Sequence, residues 1–217
     1  MTRRERVFKG TRASEHIVQL FDCRESRADA VASFVGDGLA QGQPVLVVAK
    51  PQHWAAVERD LVRKGIDPSH AIAAGRVTVL DAADLLASFM RAERPDPALF
   101  RRHVGSLVRD LATSSSGPLY VYGEMVDLLA ETGDFRAAAD LEELWNDLIR
   151  EHSVRLLCGY CSAHFGPEPA SAALHAICCA HTRVQTTADD PLGEWLTANV
   201  RPTCIAARDN RNISPRT

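Results

Sequence analysis

Pro44-Val45-Leu46-Val47-Val48-Ala49 indicates the fold class most directly, because every residue after the proline is apolar. A strand with apolar side chains at consecutive positions has no face suited to contact with water. Such strands occur in sheets that helices cover on both faces. We therefore predict a buried central strand here. The sequence around it should then alternate strands with amphipathic helices.

The segments on either side of this strand follow that alternation. Further strands are predicted at four short apolar runs, 17–21, 76–80, 119–123 and 154–158. Helical patterns lie between and after them, at about 28–41, 52–64, 97–113, 135–150 and 172–181. Asp81 can cap a further helix, which carries Leu85, Leu86 and Phe89. The sequence therefore predicts the α/β class, with a mostly parallel central sheet and helices on both of its faces.

Length and composition fit one folded domain. The 217 residues are 46% hydrophobic, which is enough to bury a sizeable core without disulfide or metal staples. No linker or repeat divides the chain. We assign the domain to residues 14–185, with an N-terminal tail at 1–13 and a C-terminal tail at 186–217.

Charge and hydropathy exclude several classes of protein. A net charge of -3 provides no concentrated basic face, so we expect no direct contact with nucleic acid. The arginines near both termini are interpreted as solvated tails. The basic start lacks the apolar run of a signal peptide, and no apolar run could span a bilayer. These features predict a cytoplasmic protein without a membrane anchor.

Polar groups follow several of the predicted strands. In a parallel α/β sheet the ligand site lies at the carboxyl ends of the strands. Asp22, Glu124 and Cys158 stand at or just beyond three such ends. We predict that these three residues share a pocket at which the protein reads its signal.

The loop after the first strand argues against a standard nucleotide hydrolase. A phosphate loop needs glycines, whose neighbouring backbone N–H groups cradle phosphate, and a lysine. Residues 22–27 read DCRESR, which has neither and carries two carboxylates that repel phosphate. We therefore expect no ATP hydrolysis. Arg24 or Arg27, at the start of the next helix, remains a candidate anion contact.

Glu124 and His16 each allow two interpretations. Glu124 either accepts a hydrogen bond from a ligand or partner, or is a buried carboxylate satisfied by neighbouring backbone or by His16. His16 precedes the first predicted strand. It is either a structural hydrogen-bonding residue or, if the chain loops back, a ligand contact.

Asn146 lies beside Trp145 on the most clearly amphipathic predicted helix. Trp145 and Leu144 are interpreted as core packing. A carboxamide next to a core-facing indole has to find specific hydrogen-bond partners. Asn146 is therefore a candidate ligand contact, with structural hydrogen bonding as the alternative.

Cysteines and histidines are concentrated towards the end of the domain, at Cys158, Cys161, His164, His175, Cys178, Cys179 and His181. Such side chains can hold zinc or form a redox switch. Structural zinc usually needs two well-spaced pairs, whereas Cys158 falls inside a predicted strand and Cys178 and Cys179 fall on different helical faces. We therefore interpret the cysteines as buried thiols and predict no metal site, with a redox or metal-responsive role as the alternative.

Four short motifs occur in order along the chain: HIVQLFD at 16–22, GEMV at 123–126, LEELWN at 141–146 and LLCGY at 156–160. As a set they resemble the MEDS domain, the sensory domain named for methanogens, methylotrophs and a dichloromethane-responsive repressor. The resemblance covers roughly residues 14–185. It implies a RecA-like or KaiC-like three-layer core, here without a Walker A loop, and a role beside histidine-kinase, anti-sigma kinase or DNA-binding modules.

The sequence thus predicts a non-catalytic sensory or regulatory domain of signal transduction or transcription control, which binds a small molecule or a partner protein. The candidate binding residues are His16, Asp22, Arg24, Glu124, Asn146 and Cys158. The alternatives are a cysteine-based redox or metal-responsive switch and a degenerate nucleotide-binding enzyme. No kinase or helix-turn-helix segment follows the domain in this sequence, so we expect either that its output passes through a kinase or anti-sigma type partner or that the chain is a fragment. The sequence indicates no particular cofactor and leaves homo-oligomerisation open.

Overall fold

The computed structural model describes residues 14–21, 24–165 and 172–185. The strands of this part are β1 (Glu15–Phe21), β2 (Val45–Ala49), β3 (Val77–Asp81), β4 (Met90–Arg91), β5 (Arg94–Pro95), β6 (Leu119–Gly123), β7 (Val154–Cys161) and β8 (Arg183–Gln185). The α-helices are α1 (Arg24–Ala40), α2 (Pro51–Arg63), α3 (Pro68–Ala73), α4 (Ala82–Phe89), α5 (Pro97–Phe100), α6 (Ser106–Ala112), α7 (Met125–Glu131), α8 (Phe135–Glu151) and α9 (Ala172–Ala180). A π-helical turn (Arg101–Gly105) joins α5 to α6, and a 3-10 turn (Ser162–Phe165) follows β7.

Six strands form one sheet in the order β3-β2-β6-β7-β1-β8, and every neighbouring pair is parallel. The predicted α/β class with a parallel sheet is confirmed. The short strands β4 and β5 form a separate antiparallel pair. None of the helices in the described ranges is long and apolar enough to cross a membrane.

Helices cover both faces of the sheet because the strand side chains alternate between two apolar layers. All five residues of β2 are buried, with Val45 and Val47 facing α1, α2 and α3. Leu46 and Val48 face the other layer, which α4 to α9 provide. The continuous apolar run of β2 therefore marks the central strand, as the sequence predicts.

Several predicted helix ends are confirmed by their capping groups. The Asp81 carboxylate accepts hydrogen bonds from the N–H groups of Ala83 and Asp84 at the start of α4. Gly65 has a φ of +78° just after α2, in the left-handed region that glycine adopts without strain. These two boundaries coincide with capping residues that the sequence itself displays.

Other predicted boundaries are wrong, and strand pairing explains two of them. β1 begins at Glu15, so His16 lies inside the strand and not before it. β7 does not end at Cys158, because all seven residues of β1 pair with residues 155–161. α1 begins at Arg24, inside the segment that the sequence assigns to a loop. The short elements without a counterpart among the predicted ones are α3, β4, β5, α7 and β8.

The helices that follow β2 and β6, two neighbouring strands of the sheet, pack on opposite faces of it. α2 leaves β2 towards one face, whereas α7 leaves β6 towards the other. In open α/β sheets such a divergence marks the carboxyl ends of the two strands as the place where ligands bind. Glu124 directly follows β6 there, and its N–H donates to the Val48 carbonyl at 2.9 Å.

Candidate functional site

Arg27, His53, Glu124 and Asp127 form a connected set at the carboxyl edge of the sheet, named here the edge network. Glu124 Oε2 lies 2.8 Å from His53 Nδ1 and 2.9 Å from the backbone nitrogen of Lys50. Its other oxygen, Oε1, accepts the Tyr122 hydroxyl at 2.7 Å and lies 3.4 Å from Arg27 Nη1. Because a carboxylate only accepts, His53 Nδ1 carries the proton of its hydrogen bond.

Glu124 is fully buried, yet donors surround it on all sides. Burial alone would raise the pKa of this carboxyl, but the hydrogen bond from His53 and the charge of Arg27 hold its pKa below the ordinary value. Glu124 is therefore a buried carboxylate with one backbone partner, and its contact with a ligand stays a prediction. The histidine beside it is His53 and not His16.

Arg27 joins the two helical layers across the edge of the sheet. This residue of α1 donates to Asp127 Oδ2 of α7 at 3.1 Å and pairs with Glu124. Asp127 Oδ1 accepts the N–H of Cys161 at 2.7 Å, at the end of β7. One side chain thus links α1, α7 and the last residue of β7 through two buried carboxylates.

A cavity of about 360 Å³ lies between α1 and α2, directly beside the edge network. Arg27 and His53 form its inner wall, and Arg59 and Arg63 of α2 line it further out. Asp60 is the one acidic residue of its lining and pairs with Arg63. The cavity has the size of a small-molecule site and a cationic lining.

His16, Glu142, Cys158 and His181 form a second polar group, named here the buried cluster. It lies on the opposite face of the sheet, between β1, β7 and α8, and each of its residues is at most 2% exposed. Glu142 Oε2 lies 3.1 Å from His16 Nε2 and 3.4 Å from Cys158 Sγ, and Glu142 Oε1 lies 3.3 Å from His181 Nε2. The four ligating atoms lie within 4.8 Å of one another.

Hydrogen bonds on the outer side of both imidazoles fix their orientation. His16 Nδ1 lies 2.8 Å from Asn146 Oδ1, and Asn146 Nδ2 donates to the Ala180 carbonyl at 3.1 Å. His181 Nδ1 lies 2.7 Å from the Ile177 carbonyl. Both outer partners only accept, so each Nδ1 carries the ring proton and each Nε2 presents a lone pair to the cluster.

The pKa directions in the buried cluster follow from burial and from Glu142. Burial raises the pKa of the Cys158 thiol and lowers that of His16, so both favour their neutral forms. Burial also opposes the charge on Glu142, and its pKa lies well below the ordinary value only when positive charge at His181 or His16 faces the carboxylate. The cluster therefore contains a buried carboxylate beside two groups, the Cys158 thiol and the His16 imidazole, whose neutral forms burial favours.

The sequence matches the family described as MEthanogen/methylotroph, DcmR Sensory domain (MEDS) over residues 15–182, well over half of the chain. The chain belongs to the MEDS family. No curated protein matches the sequence. MEDS is a sensory domain, so the family assigns a sensory or regulatory role without naming a signal or a partner.

In this MEDS domain the motifs divide between the two polar groups. The GEMV motif supplies Glu124 to the edge network. The other three motifs supply residues to the buried cluster: His16 from the first, Glu142 from the third and Cys158 from the fourth. Asn146, also from the third motif, bonds His16 from outside the cluster.

The pocket predicted at Asp22, Glu124 and Cys158 is not a single site of this MEDS domain. Cys158 pairs with Gly123 and Val18 in the middle of the sheet, and its side chain joins the buried cluster. Glu124 instead contacts residues of α1 and α2. The reason is that β7 continues three residues beyond Cys158, which therefore does not stand at a carboxyl end.

The remaining predicted site residues have separate positions. Asp22 lies outside the described residues. Arg24 is the first residue of α1, and nothing is described of its side chain. Asn146 makes two specific hydrogen bonds and orients His16. Cys158 and Cys178 are buried thiols, whereas Cys161 is partly exposed.

Sequence reasoning missed His53, Asp127 and Glu142 as site residues. Glu142 left a detectable signal, because it falls on the buried stripe of α8 with Ala138, Leu141, Trp145 and Leu148. A carboxylate on such a stripe has to find buried partners. His53 and Asp127 left no comparable signal, since each stands in the first turn of a helix, where polar residues are common.

Proposed function

We propose that this MEDS domain is a sensor that binds a small anionic molecule, carrying a carboxylate or phosphate group, in the cavity between α1 and α2. The observation that carries the proposal is the convergence of Arg27, Arg59 and Arg63 on a cavity of about 360 Å³ at the carboxyl edge of the sheet. Guanidinium groups recognise carboxylate and phosphate through paired hydrogen bonds.

The charge balance of the lining favours an anion. Arg27 is balanced by Glu124 and Asp127, and Arg63 is balanced by Asp60. Arg59 makes no ion pair among the residues that the structure describes, although it lines the same cavity. A ligand carboxylate or phosphate would supply the missing negative charge next to Arg59.

Arg27 provides a route from the cavity to the rest of the fold. An anion that pairs with its guanidinium competes with Glu124 and Asp127 for the same donors. Weakening these bonds changes the hold of α1 on α7 and, through the Cys161 amide, on the end of β7. Ligand occupancy would thus be transmitted as a repacking of α1 against α7.

The domain is proposed to act inside the cell and without catalysis, passing its output to a regulatory protein of the kinase or anti-sigma type. The signal contact and the output contact would be separate surfaces. Binding of the signal then changes the affinity for the partner by a coupling free energy that acts in both directions.

The test is a calorimetric titration of the protein with inorganic phosphate and with small dicarboxylates, preceded by native mass spectrometry of freshly purified protein. A co-purifying or titrated anion should bind one per chain. Arg59→Gln should weaken that binding roughly tenfold, because a hydrogen bond to a charged group contributes about 1.5 kcal/mol or more.

Arg109→Gln is the matched control, since Arg109 is an exposed arginine on α6, which packs on the other face of the sheet. It should leave the affinity unchanged. Equal affinities for the wild type and Arg59→Gln, or an anion whose binding is lost in Arg109→Gln, would contradict this site. A neutral co-purifying ligand would contradict the anionic signal.

A further inference from the structure

We propose that His16, Glu142, Cys158 and His181 form a binding site for one divalent ion of the zinc type, which ties four segments of the domain together. The four residues come from β1, α8, β7 and the turn that follows α9. This site lies on the opposite face of the sheet from the anion cavity and does not depend on it.

The buried cluster gathers more acceptors than donors. The Nε2 atoms of His16 and His181 carry no proton when each ring holds its proton on Nδ1, which their outer partners require. Both lone pairs then face the Glu142 carboxylate, and His181 Nε2 has no hydrogen-bond partner among the described residues. Lone pairs that converge in a buried space repel one another unless a cation lies between them.

A proton on one imidazole relieves this repulsion only in part. The two ring centroids of His16 and His181 are 4.0 Å apart, so two imidazolium charges cannot coexist there. With one proton on His181, the other nitrogen, His16 Nε2, has only the weak Cys158 thiol at 3.4 Å as a donor. A metal ion serves both nitrogen atoms at once.

The spacing of the four atoms suits tetrahedral coordination. Zinc bonds of about 2.0 Å to nitrogen or oxygen and about 2.3 Å to sulfur separate tetrahedral ligand atoms by roughly 3.3–3.5 Å. The separations of Glu142 Oε2 from His16 Nε2 and Cys158 Sγ are 3.1 and 3.4 Å, and His16 Nε2 lies 3.4 Å from the same sulfur. Small side-chain rotations bring His181 to the fourth position.

Charge neutrality favours a divalent ion in so buried a place. A thiolate, a carboxylate and two neutral imidazoles carry two negative charges, which an ion of charge +2 cancels. A neutral site is the form that full burial tolerates. Ion binding also deprotonates the Cys158 thiol, whose proton leaves to solvent as the sulfur–metal bond forms.

The outer hydrogen bonds match those of metal-binding histidines, whose second ring nitrogen donates to a carbonyl or carboxylate. Asn146 and the Ile177 carbonyl take this role, and the Tyr160 hydroxyl donates to Glu142 Oε1 at 2.6 Å. A sulfur, two imidazoles and one carboxylate select a borderline ion such as Zn²⁺ over Mg²⁺ or Ca²⁺. Four protein ligands without an open position indicate a structural ion.

The proposed ion fixes the edge of the sheet. β8 pairs with β1 over only three residues, and His181 precedes it by two residues. Binding of His181 to an ion held by β1, β7 and α8 anchors α9 and β8 to the core.

The test uses the full chain, purified without a histidine tag after growth with added zinc. Elemental analysis should find one zinc per chain. Exchange for Co²⁺ should give a sulfur-to-cobalt charge-transfer band and the strong visible bands of a tetrahedral ion. Removal of the ion with a chelator should lower the Tm and increase hydrogen exchange in 174–185 more than in β2 and β3.

Cys158→Ser should abolish the sulfur band, and Cys178→Ser is the matched control, because Cys178 is a buried thiol outside the cluster. Asn146→Ala should weaken metal affinity about 10- to 100-fold, whereas Asn146→Asp, which keeps an acceptor for His16, should largely restore it.

Failure of folded wild-type protein to take up stoichiometric Zn²⁺ or Co²⁺ would overturn the proposal and leave a proton as the occupant. A cobalt complex without a sulfur band, or one lost equally in Cys178→Ser, would also overturn it. The metal content and the cobalt spectra of the wild type and of Cys178→Ser decide these outcomes, so the test remains valid even if Cys158→Ser does not fold.

Discussion

At the scale of single residues, Glu124 and Glu142 show two ways to bury a carboxylate. Both are fully buried. Glu124 accepts hydrogen bonds from a histidine, a tyrosine and a backbone amide, and it pairs with Arg27. Glu142 accepts hydrogen bonds from the Tyr160 hydroxyl and, more weakly, from the Cys158 thiol. Its remaining neighbours are the Nε2 atoms of the two histidines of the buried cluster. The protein itself supplies the donors that Glu124 needs, whereas we expect Glu142 to need a cation.

Glu124→Gln should reduce the stability at neutral pH by about 1–3 kcal/mol, because its buried donors lose a charged acceptor. The pKa of Glu124 in the folded protein lies below its ordinary value of 4.5. The native state therefore binds fewer protons than the unfolded state, and the contribution of Glu124 is complete above that value and is lost as pH falls through the folded pKa. The difference between wild type and variant should shrink as pH falls from 7 to 3, as urea denaturation would measure.

Glu131→Gln provides the control for this titration. Glu131 is exposed and pairs with Lys50, and such surface pairs contribute about 0–1 kcal/mol. Its stability curve should run close to that of the wild type. Parallel curves for Glu124→Gln and wild type over the whole pH range would contradict the edge network as described.

At the scale of elements, α1 packs against the sheet through a glycine. A Cβ atom on Gly38 would lie 2.9 Å from atoms of both Tyr120 and Val45, so the close approach of helix and strands requires glycine there. Gly36, two residues earlier, would meet only the terminal methyl group of Ile66 at 3.0 Å. The same helix thus contains one glycine that packing demands and one that it does not.

Gly38→Ala should destabilise the protein, although alanine favours a helix by about 1 kcal/mol over glycine. Overpacking of a filled core costs about 1–3 kcal/mol, so the net loss should be about 1 kcal/mol or more. Gly36→Ala, the matched control, should be neutral or stabilising by up to about 1 kcal/mol, because the Ile66 methyl can rotate away. Thermal and urea denaturation of both variants checks the pair, and equal effects would contradict the packing of α1.

At the scale of the whole molecule, the sheet separates two apolar layers. Val57 of α2 belongs to one layer and Val104 of the π-helical turn belongs to the other. Val57→Ala and Val104→Ala should each cost about 1–3 kcal/mol, from lost burial and the cavity left behind. Without shared partners their effects should add within about 0.5 kcal/mol in the double variant. Coupling above 1 kcal/mol would contradict two independent layers.

Burial across the whole molecule also ranks the thiols. Cys158 and Cys178 are buried, and burial raises the pKa of Cys178 to about 12. Cys161 is partly exposed. Alkylation of native protein should label Cys161 well before the two buried residues, and denatured protein should label all six cysteines. Peptide mass spectrometry would follow each site, and early labelling of Cys178 would contradict the position of α9.

The fold class of this protein follows from local sequence patterns. The apolar run of β2, the Asp81 cap and Gly65 act within a few residues of one another, and local patterns report such effects directly. The sequence also indicated Glu124 and Asn146 as polar groups that need partners, because a polar residue at a strand end or beside a core tryptophan cannot remain unsatisfied.

Which of these residues meet depends on contacts that are distant in sequence. Pairing of β1 with residues 155–161 placed Cys158 inside the sheet, and the stripe of α8 carried Glu142 to it. His16 and His181 reach the same point although 165 positions separate them along the chain. Sequence patterns describe periods of two or three to four residues, whereas strand order and helix docking bring together residues at any separation, and these contacts define both polar groups.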